Sequence, residues 1–289
     1  MTPISTAPRV SVSTWALHSL LGTAHPGRPA DPAATMMASA PGSLDLLDVP
    51  TNLKRRGIGT MELCHFHLPA DPVYRAEFAA AVRESGVELW SLLIDDGDIT
   101  HPETGEASTD FNRQWLDVAG LLGARCARVI GGRQAPIPET LALARERLRG
   151  LALDGYLRGV RVMTENWYGL LDAPDTINAL MSDLGGTVGL NFDFGNWDSR
   201  PDKYDALRQI AKYAESCHAK AAFDASGNID ETDWRQCLDI LARAAYAGPF
   251  TLVASTPGDV WGGIEKQSAF LRENGYVLDV PPANTTPQE

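Results

Sequence analysis

The sequence predicts an α/β fold, a single-domain (β/α)8 barrel of the TIM type. Three observations carry this expectation. Short apolar runs follow a glycine again and again along the chain. Segments rich in Ala, Leu, Glu and Arg fill the spaces between them, so that strand and helix patterns alternate. No Gly-x-Gly-x-x-Gly follows the first run, which disfavours the rival doubly wound open sheet.

The first expected strand is Val10 to Leu17, at the start of the chain. Gly57, Gly86, Gly123, Gly159, Gly186 and Gly248 then precede runs ending at Leu63, Ile94, Ile130, Glu165, Asp193 and Ala254. The gaps between these glycines are 29, 37, 36, 27 and 62 residues, and the double-length last gap holds a seventh run, Glu215 to Ala221. A glycine at the end of a helix has a physical cause, since it takes the left-handed backbone angle of the C-cap at little cost. Expected helices are Pro72–Ser85, Asp110–Leu122, Pro138–Leu153, Ala173–Leu184, Lys203–Tyr213, Thr232–Tyr246 and Trp261–Glu273. Leu44–Arg56 reads as a weaker helix interrupted by Pro50.

The barrel is expected over residues 1–280, with two departures from its rhythm. Residues 22–43 are rich in Pro and Ala and follow the first strand, which places them on the face where barrel active sites form. They read as a loop or lid insertion, or as a disordered one. Residues 281–289 read as a flexible tail.

The 289 residues carry 25 Lys and Arg against 37 Asp and Glu, and the net charge of −12 disfavours a nucleic-acid-binding surface. Hydrophobic residues at 44% suit a folded globular chain. Cys64, Cys126, Cys217 and Cys237 form no Cys-x-x-Cys pair, so neither a zinc ribbon nor a redox motif is indicated. Met1 to Arg9 lacks the basic-then-apolar pattern of a secretory signal, and no apolar run is long enough for a membrane span. A cytoplasmic protein is the expectation.

In a barrel the C-terminal strand ends face the pocket. Here they supply Glu62, His65 and His67 from strand two and Trp90, Asp95 and Asp96 from strand three. Arg128 comes from strand four, Glu165 and Trp167 from strand five, and Asp193 and Asn196 from strand six. Strand seven supplies His218 and Lys220. Glu165, Asp193 and His218 lie on three consecutive strands at similar heights. Two carboxylates and an imidazole converging on one point make a divalent-metal site with open positions. The alternative for each residue alone is a solvated or loop-capping group. His65 and His67 are expected to share one strand face. Trp15, Trp90 and Trp167 are candidates for an apolar wall against a sugar ring, or for ordinary barrel packing. Lys220 would bind a carboxylate or enolate, or pair with Asp193 or Glu165; Arg128 would balance charge in an acidic ring.

These strand ends resemble the xylose isomerase-like barrels, the superfamily of sugar phosphate isomerases and epimerases that also includes endonuclease IV. The resemblance runs from about Val10 to Leu271 and rests on Glu62-Leu63, Glu165-Asn166, Asp193-Phe194-Gly195-Asn196 and His218-Ala219-Lys220. It implies a metal held by Glu165, Asp193 and His218. It also implies a fourth glutamate ligand on strand eight, where this chain has Val253 or Ser255. Asn196 stands where the family often has a histidine. Asp259 is a candidate replacement ligand.

The resemblance therefore implies a metal-dependent isomerase or epimerase acting on a sugar, polyol or hydroxy-ketone through an enol(ate). The expected cofactor is Mn, Mg, Co or Zn, and the expected catalytic residues are Glu165 and Lys220. Glu62, His67, Trp90, Arg128, Trp167 and Asn196 are expected to contact substrate. With one glutamate missing, a keto-sugar dehydratase or lyase and a non-catalytic ligand-binding barrel remain open alternatives. The expected partner is a small carbohydrate, with no nucleic acid and no membrane. Tyr204 to Tyr213 offers an aromatic face for a homodimer.

Overall fold

A computed structural model describes residues 7–22, 42–224, 226–254 and 258–277. Residues 23–41 of the expected 22–43 insertion, the tail at 281–289 and Ser255 lie outside these residues. Eight parallel strands close into a barrel in sequence order. They are β1 (Arg9–Ser13), β2 (Thr60–Cys64), β3 (Glu88–Leu93), β4 (Cys126–Arg128), β5 (Arg161–Glu165), β6 (Gly189–Asp193), β7 (Ala214–His218) and β8 (Pro249–Leu252). The (β/α)8 architecture is the one the alternating pattern predicts.

Alternate residues of each strand serve two environments. Val10, Val12, Met61, Leu63, Leu190, Phe192, Phe250 and Leu252 belong to the main core, packed with apolar residues of the helices. Burying each such side chain contributes about 1.5–3 kcal/mol. The positions between them, including Ser11, Ser13, Glu62, Asn191, Ser216 and Thr251, are also buried but polar. Hydrogen bonds crossing from β3 to β7 and from β2 to β7 place this set inside the barrel. A separate apolar cluster is Trp90, Cys126 and Met163. Barrel interiors are usually filled by branched apolar side chains; this one is largely polar, with Trp90, Ser216, Glu62 and His218 joined by hydrogen bonds beneath the site, while the Ser11 and Thr251 hydroxyls have no hydrogen-bond partner among the described residues.

Besides a single helical turn at His18–Leu21, the helices are α1 (Val49–Arg55), α2 (Pro72–Ser85), α3 (Gly105–Leu122), α4 (Pro138–Leu157), α5 (Pro174–Leu184), α6 (Lys203–Ile210), α7 (Glu231–Arg243) and α8 (Val260–Glu273). In α2 the Asp71 carboxylate caps the Val73 N–H at 3.0 Å, Pro72 opens the first turn, and Gly86 ends it at φ +69°. Pro50 does not interrupt α1: it sits in the first turn, where its missing N–H would have no partner anyway. α3 begins five residues before the expected Asp110; the chain entering it is turned by His101, whose Nδ1 accepts the Glu103 and Thr104 N–H groups and whose carbonyl accepts that of Gly105. At the opposite end of the barrel, Arg9–Glu88 at 2.6 Å and Arg161–Glu215 at 2.6 Å are ion pairs at strand starts. Among the described residues no helix is long and apolar enough to cross a membrane.

Two local expectations change. His65 and His67 do not share a strand face, because β2 ends at Cys64 and the chain turns into a 3-10 helix over His65–His67. The Thr14 hydroxyl ends the strand by accepting the Cys64 N–H at 2.9 Å. β7 likewise stops at His218, so Lys220 lies beyond the strand and is exposed.

Candidate functional site

Glu165, Asp193 and His218 are the last residues of β5, β6 and β7. Asp193 and His218 are register partners, so their side chains leave the sheet at one height. The three residues are buried and each offers a ligand atom within 4.8 Å of the others. The His218 Nδ1 lies 3.3 Å from Asp193 Oδ2 and 3.6 Å from Glu165 Oε1.

The rest of the network orients these groups. Glu62 Oε2 is 2.9 Å from His218 Nε2, and Ser216 donates to Glu62 Oε1 at 3.2 Å. The Trp90 indole donates to Ser216 at 2.9 Å and completes the column. Asp193 Oδ1 accepts the N–H groups of Gly195 and Asn196 at 2.6 and 2.9 Å, leaving Oδ2 to face the imidazole. Asn166 pins the Asp193 backbone by accepting its N–H and donating to its carbonyl. Glu165 accepts from Asn196 at Oε1 (2.8 Å) and from Asn191 at Oε2 (3.1 Å). Arg128 Nε lies 2.9 Å from Glu165 Oε2, and its other end pairs with Asp95.

The electrostatics follow. Burial alone would raise the Glu165 pKa, but the Arg128 charge and the His218 imidazole outweigh it and hold the carboxyl at about 2. Burial would lower the His218 pKa, yet Glu165, Glu62 and Asp193 push it well above the ordinary imidazole value. The Arg128 guanidinium is likewise desolvated, and Asp95 and Glu165 keep it charged.

This donor set fits a divalent cation. Glu62 holds the Nε2 side of His218, so Nδ1 is the nitrogen directed at Asp193 and Glu165, and a cation there would take the place of the proton that the carboxylates otherwise keep on the ring. Carboxylate–imidazole–metal arrangements have this form. The negative field that raises the proton affinity of the imidazole also favours a dication between the three ligands.

Other residues singled out from sequence take varied positions. Asn196, Arg128 and Trp167 gather at Glu165, with the Arg128 guanidinium 5.1 Å from the Trp167 ring. Glu62 is fully buried beneath His218. Trp90 is not brought to the mouth; it lies in the interior with Cys126 and Met163 because its N–H reaches Ser216. His67 is buried and shares a 2.8 Å bond with the Thr14 hydroxyl. The Lys220 stem packs on Gly195, where a Cβ would collide with it, and Lys220 forms no ion pair among the described residues. Asp259 is exposed and caps α8 through the Gly262 N–H, so its carboxylate is not gathered with the triad. Val253, on the strand-eight side, is buried and apolar.

The structure also gathers Asn191 and Tyr168, to which sequence reading gave no role, and gives Asp95, noted only as a strand-end residue, a partner. Asn191 is the interior residue one alternation before Asp193, a position its strand period reveals. Asp95 follows β3 and partners Arg128, and its N–H donates to His65 Nδ1 at 3.1 Å. Tyr168 has φ +58°, unusual for a residue with a side chain, and stacks on Trp167 with ring centroids 4.1 Å apart. Nothing in the local sequence announces that backbone angle.

Solved structures of the same shape include L-ribulose 3-epimerase, with TM-score 0.69 and 17% identity over 97% of this chain and 100% of that one. A xylose isomerase-like barrel protein from Mycobacterium smegmatis in complex with magnesium aligns at TM-score 0.63 and 17% identity, covering 94% and 98%. D-psicose 3-epimerase with D-tagatose from Clostridium cellulolyticum H10 aligns at 0.63 and 16% identity, covering 82% and 94%. At such identities the likeness is one of fold. No curated protein sequence matches significantly. The family profile described as "Xylose isomerase-like TIM barrel" matches residues 50–274, well over half the sequence, and its span includes the strands that carry Glu165, Asp193 and His218. The chain therefore belongs to the xylose isomerase-like TIM barrel family.

Proposed function

We propose that this protein is a metal-dependent enzyme acting on a sugar, polyol or related hydroxy-ketone through an enol(ate), of the isomerase type. One observation carries the reading: the His218 Nδ1 faces Asp193 and Glu165 while Glu62 occupies its Nε2. The sugar-epimerase neighbours support the substrate class. Glu165, Asp193 and His218 would hold the ion. When bound, a divalent ion polarises a carbonyl and acidifies the neighbouring C–H or O–H.

The protein's own groups divide the remaining work. Glu165 is anionic and within reach of the same point, so it takes the proton from carbon once substrate draws it from Arg128. Lys220, seated on Gly195 and without an ion-pair partner among the described residues, moves a proton at a substrate oxygen. Trp167, Tyr168 and Phe66 supply aromatic surface for a sugar face, and Asn196 orients Glu165. Val253 contributes no carboxylate from the β8 side. Inversion by two bases on opposite faces lacks its second base; proton transfer by one base, or loss of water after it, does not.

Metal analysis combined with substrate proton exchange tests the reading. The expected result is one bound divalent ion per chain, and exchange of a substrate C–H with solvent that Glu165→Gln abolishes. Absence of metal binding at Glu165, Asp193 and His218 would remove the basis for this enzyme and favour a ligand-binding barrel. Water loss in place of isomer formation would select the dehydratase.

A further inference from the structure

Beside the triad stands a stack that the metal reading leaves unused. The Arg133 guanidinium lies 4.2 Å from the Tyr168 ring centroid. Tyr168 stacks on Trp167 at 4.1 Å, and the Trp167 ring lies 5.1 Å from the Arg128 guanidinium that pairs with Glu165. The column thus reads cation, phenol, indole, cation, and its inner end touches a candidate metal ligand.

The two cations differ. Arg128 is balanced by Asp95 and Glu165. Arg133 forms no ion pair among the described residues, and its Nη2 is buried without a hydrogen-bond partner. A buried guanidinium N–H with no acceptor is costly unless a ligand supplies one. Tyr168 is held at φ +58°, ψ 175°, a conformation that tertiary contacts must impose. Gly169, just after it, packs against the Arg133 carbonyl, where a Cβ would lie 3.1 Å away. The charges of Arg133, Arg128, Asp95 and Glu165 all act on the Tyr168 phenol, while burial keeps it protonated as a donor. Asp95 Oδ2 is buried and also lacks a hydrogen-bond partner among the described residues, so it can accept a bond from a hydroxyl.

We propose that Arg133 and the Tyr168 hydroxyl form an anchor for a substrate carboxylate, with Asp95 accepting from a neighbouring hydroxyl. The substrate is then a sugar acid that keeps a ketone or aldehyde for the reacting centre, and not a neutral sugar. This deepens the proposed function and rests on its placement of the reacting centre at Glu165, Asp193 and His218. One uncompensated guanidinium matches one carboxylate, which it binds through two parallel N–H groups. A phosphate dianion calls for more donors, and Arg128 is already committed.

Calorimetric titration of the full chain, with and without Mn²⁺, tests the anchor against D-gluconate, D-glucose and D-glucose 6-phosphate. D-Gluconate should bind at least about tenfold more tightly than D-glucose, as expected when a charged hydrogen-bond pair is gained. Arg133→Gln should remove that advantage and leave D-glucose binding unchanged. Arg133→Lys, which retains charge without the two-pronged geometry, should recover only part of it, and Tyr168→Phe should weaken D-gluconate selectively. Thermal melts identify any variant that fails to fold, and the remaining variants then decide. Equal binding of D-gluconate and D-glucose, an unaffected Arg133→Gln, or tighter Arg133-dependent binding of D-glucose 6-phosphate would each overturn the proposal. The advantage is expected with or without Mn²⁺, so loss of the metal reading and loss of the anchor are separately visible.

Discussion

Glu62 and His218, 156 residues apart in sequence, meet inside the barrel with 2.9 Å between Oε2 and Nε2. The contact crosses from β2 to β7 and decides which imidazole nitrogen is left for the site. A carboxylate behind a ligating imidazole typically contributes 10- to 100-fold in metal affinity, so Glu62→Gln should weaken Mn²⁺ binding by about that factor. A Mn²⁺ titration of the two proteins measures it; equal affinities would remove Glu62 from this role.

Arg128 should matter for stability as much as for chemistry. It is buried between Asp95 and Glu165, and its removal leaves two buried carboxylates without their cation. Arg128→Met should therefore destabilise the metal-free protein by about 3–5 kcal/mol, read from urea unfolding.

Acid should act on the same pair. The Glu165 carboxyl is held at about 2, below its ordinary 4.5, and the group is buried. A depressed carboxyl pKa stabilises the fold above the unfolded value, and that contribution is lost as pH falls through the folded value. The metal-free protein should thus lose on the order of a few kcal/mol between about pH 4.5 and 2, and Glu165→Gln should flatten that part of the profile. The raised pKa of His218 has the opposite sign: its contribution is complete below the ordinary imidazole value of 6.5 and fades as pH rises through the raised one. Urea midpoints across pH, with and without each side chain, separate the two.

Gly195 offers a test of Lys220. A methyl group there would collide with the Lys220 stem, which is flexible, while Gly195 has no left-handed φ to strain. Gly195→Ala should leave the melting temperature nearly unchanged and reduce kcat by up to about 10²-fold, the cost of a small misplacement of a catalytic group. Retained kcat would show that Lys220 has no part in turnover.

The order of elements was legible because helix-ending glycines and alternating strands are local devices. Gly86 at φ +69° and the strand Gly189–Asp193 depend on their own neighbours. The convergence of Glu165, Asp193 and His218 followed from barrel topology alone, since the ends of successive parallel strands share one face. Local pattern failed where a distant side chain decides. Thr14 ends β2 before His65, and the N–H of Trp90 reaches Ser216 across the barrel. Asp259 is drawn into capping α8.

What the sequence by itself determined is the alternation of strand and helix, the barrel, and the three strand-end groups, because each depends on short-range periodicity and chain order. Only the tertiary structure decided that Glu62 supports His218, that Arg128 is divided between Asp95 and Glu165, and that Tyr168 takes a strained angle beside Arg133. Those relationships join residues from different strands across a closed barrel, where the meeting of side chains depends on strand stagger and burial, quantities that no local stretch of sequence contains.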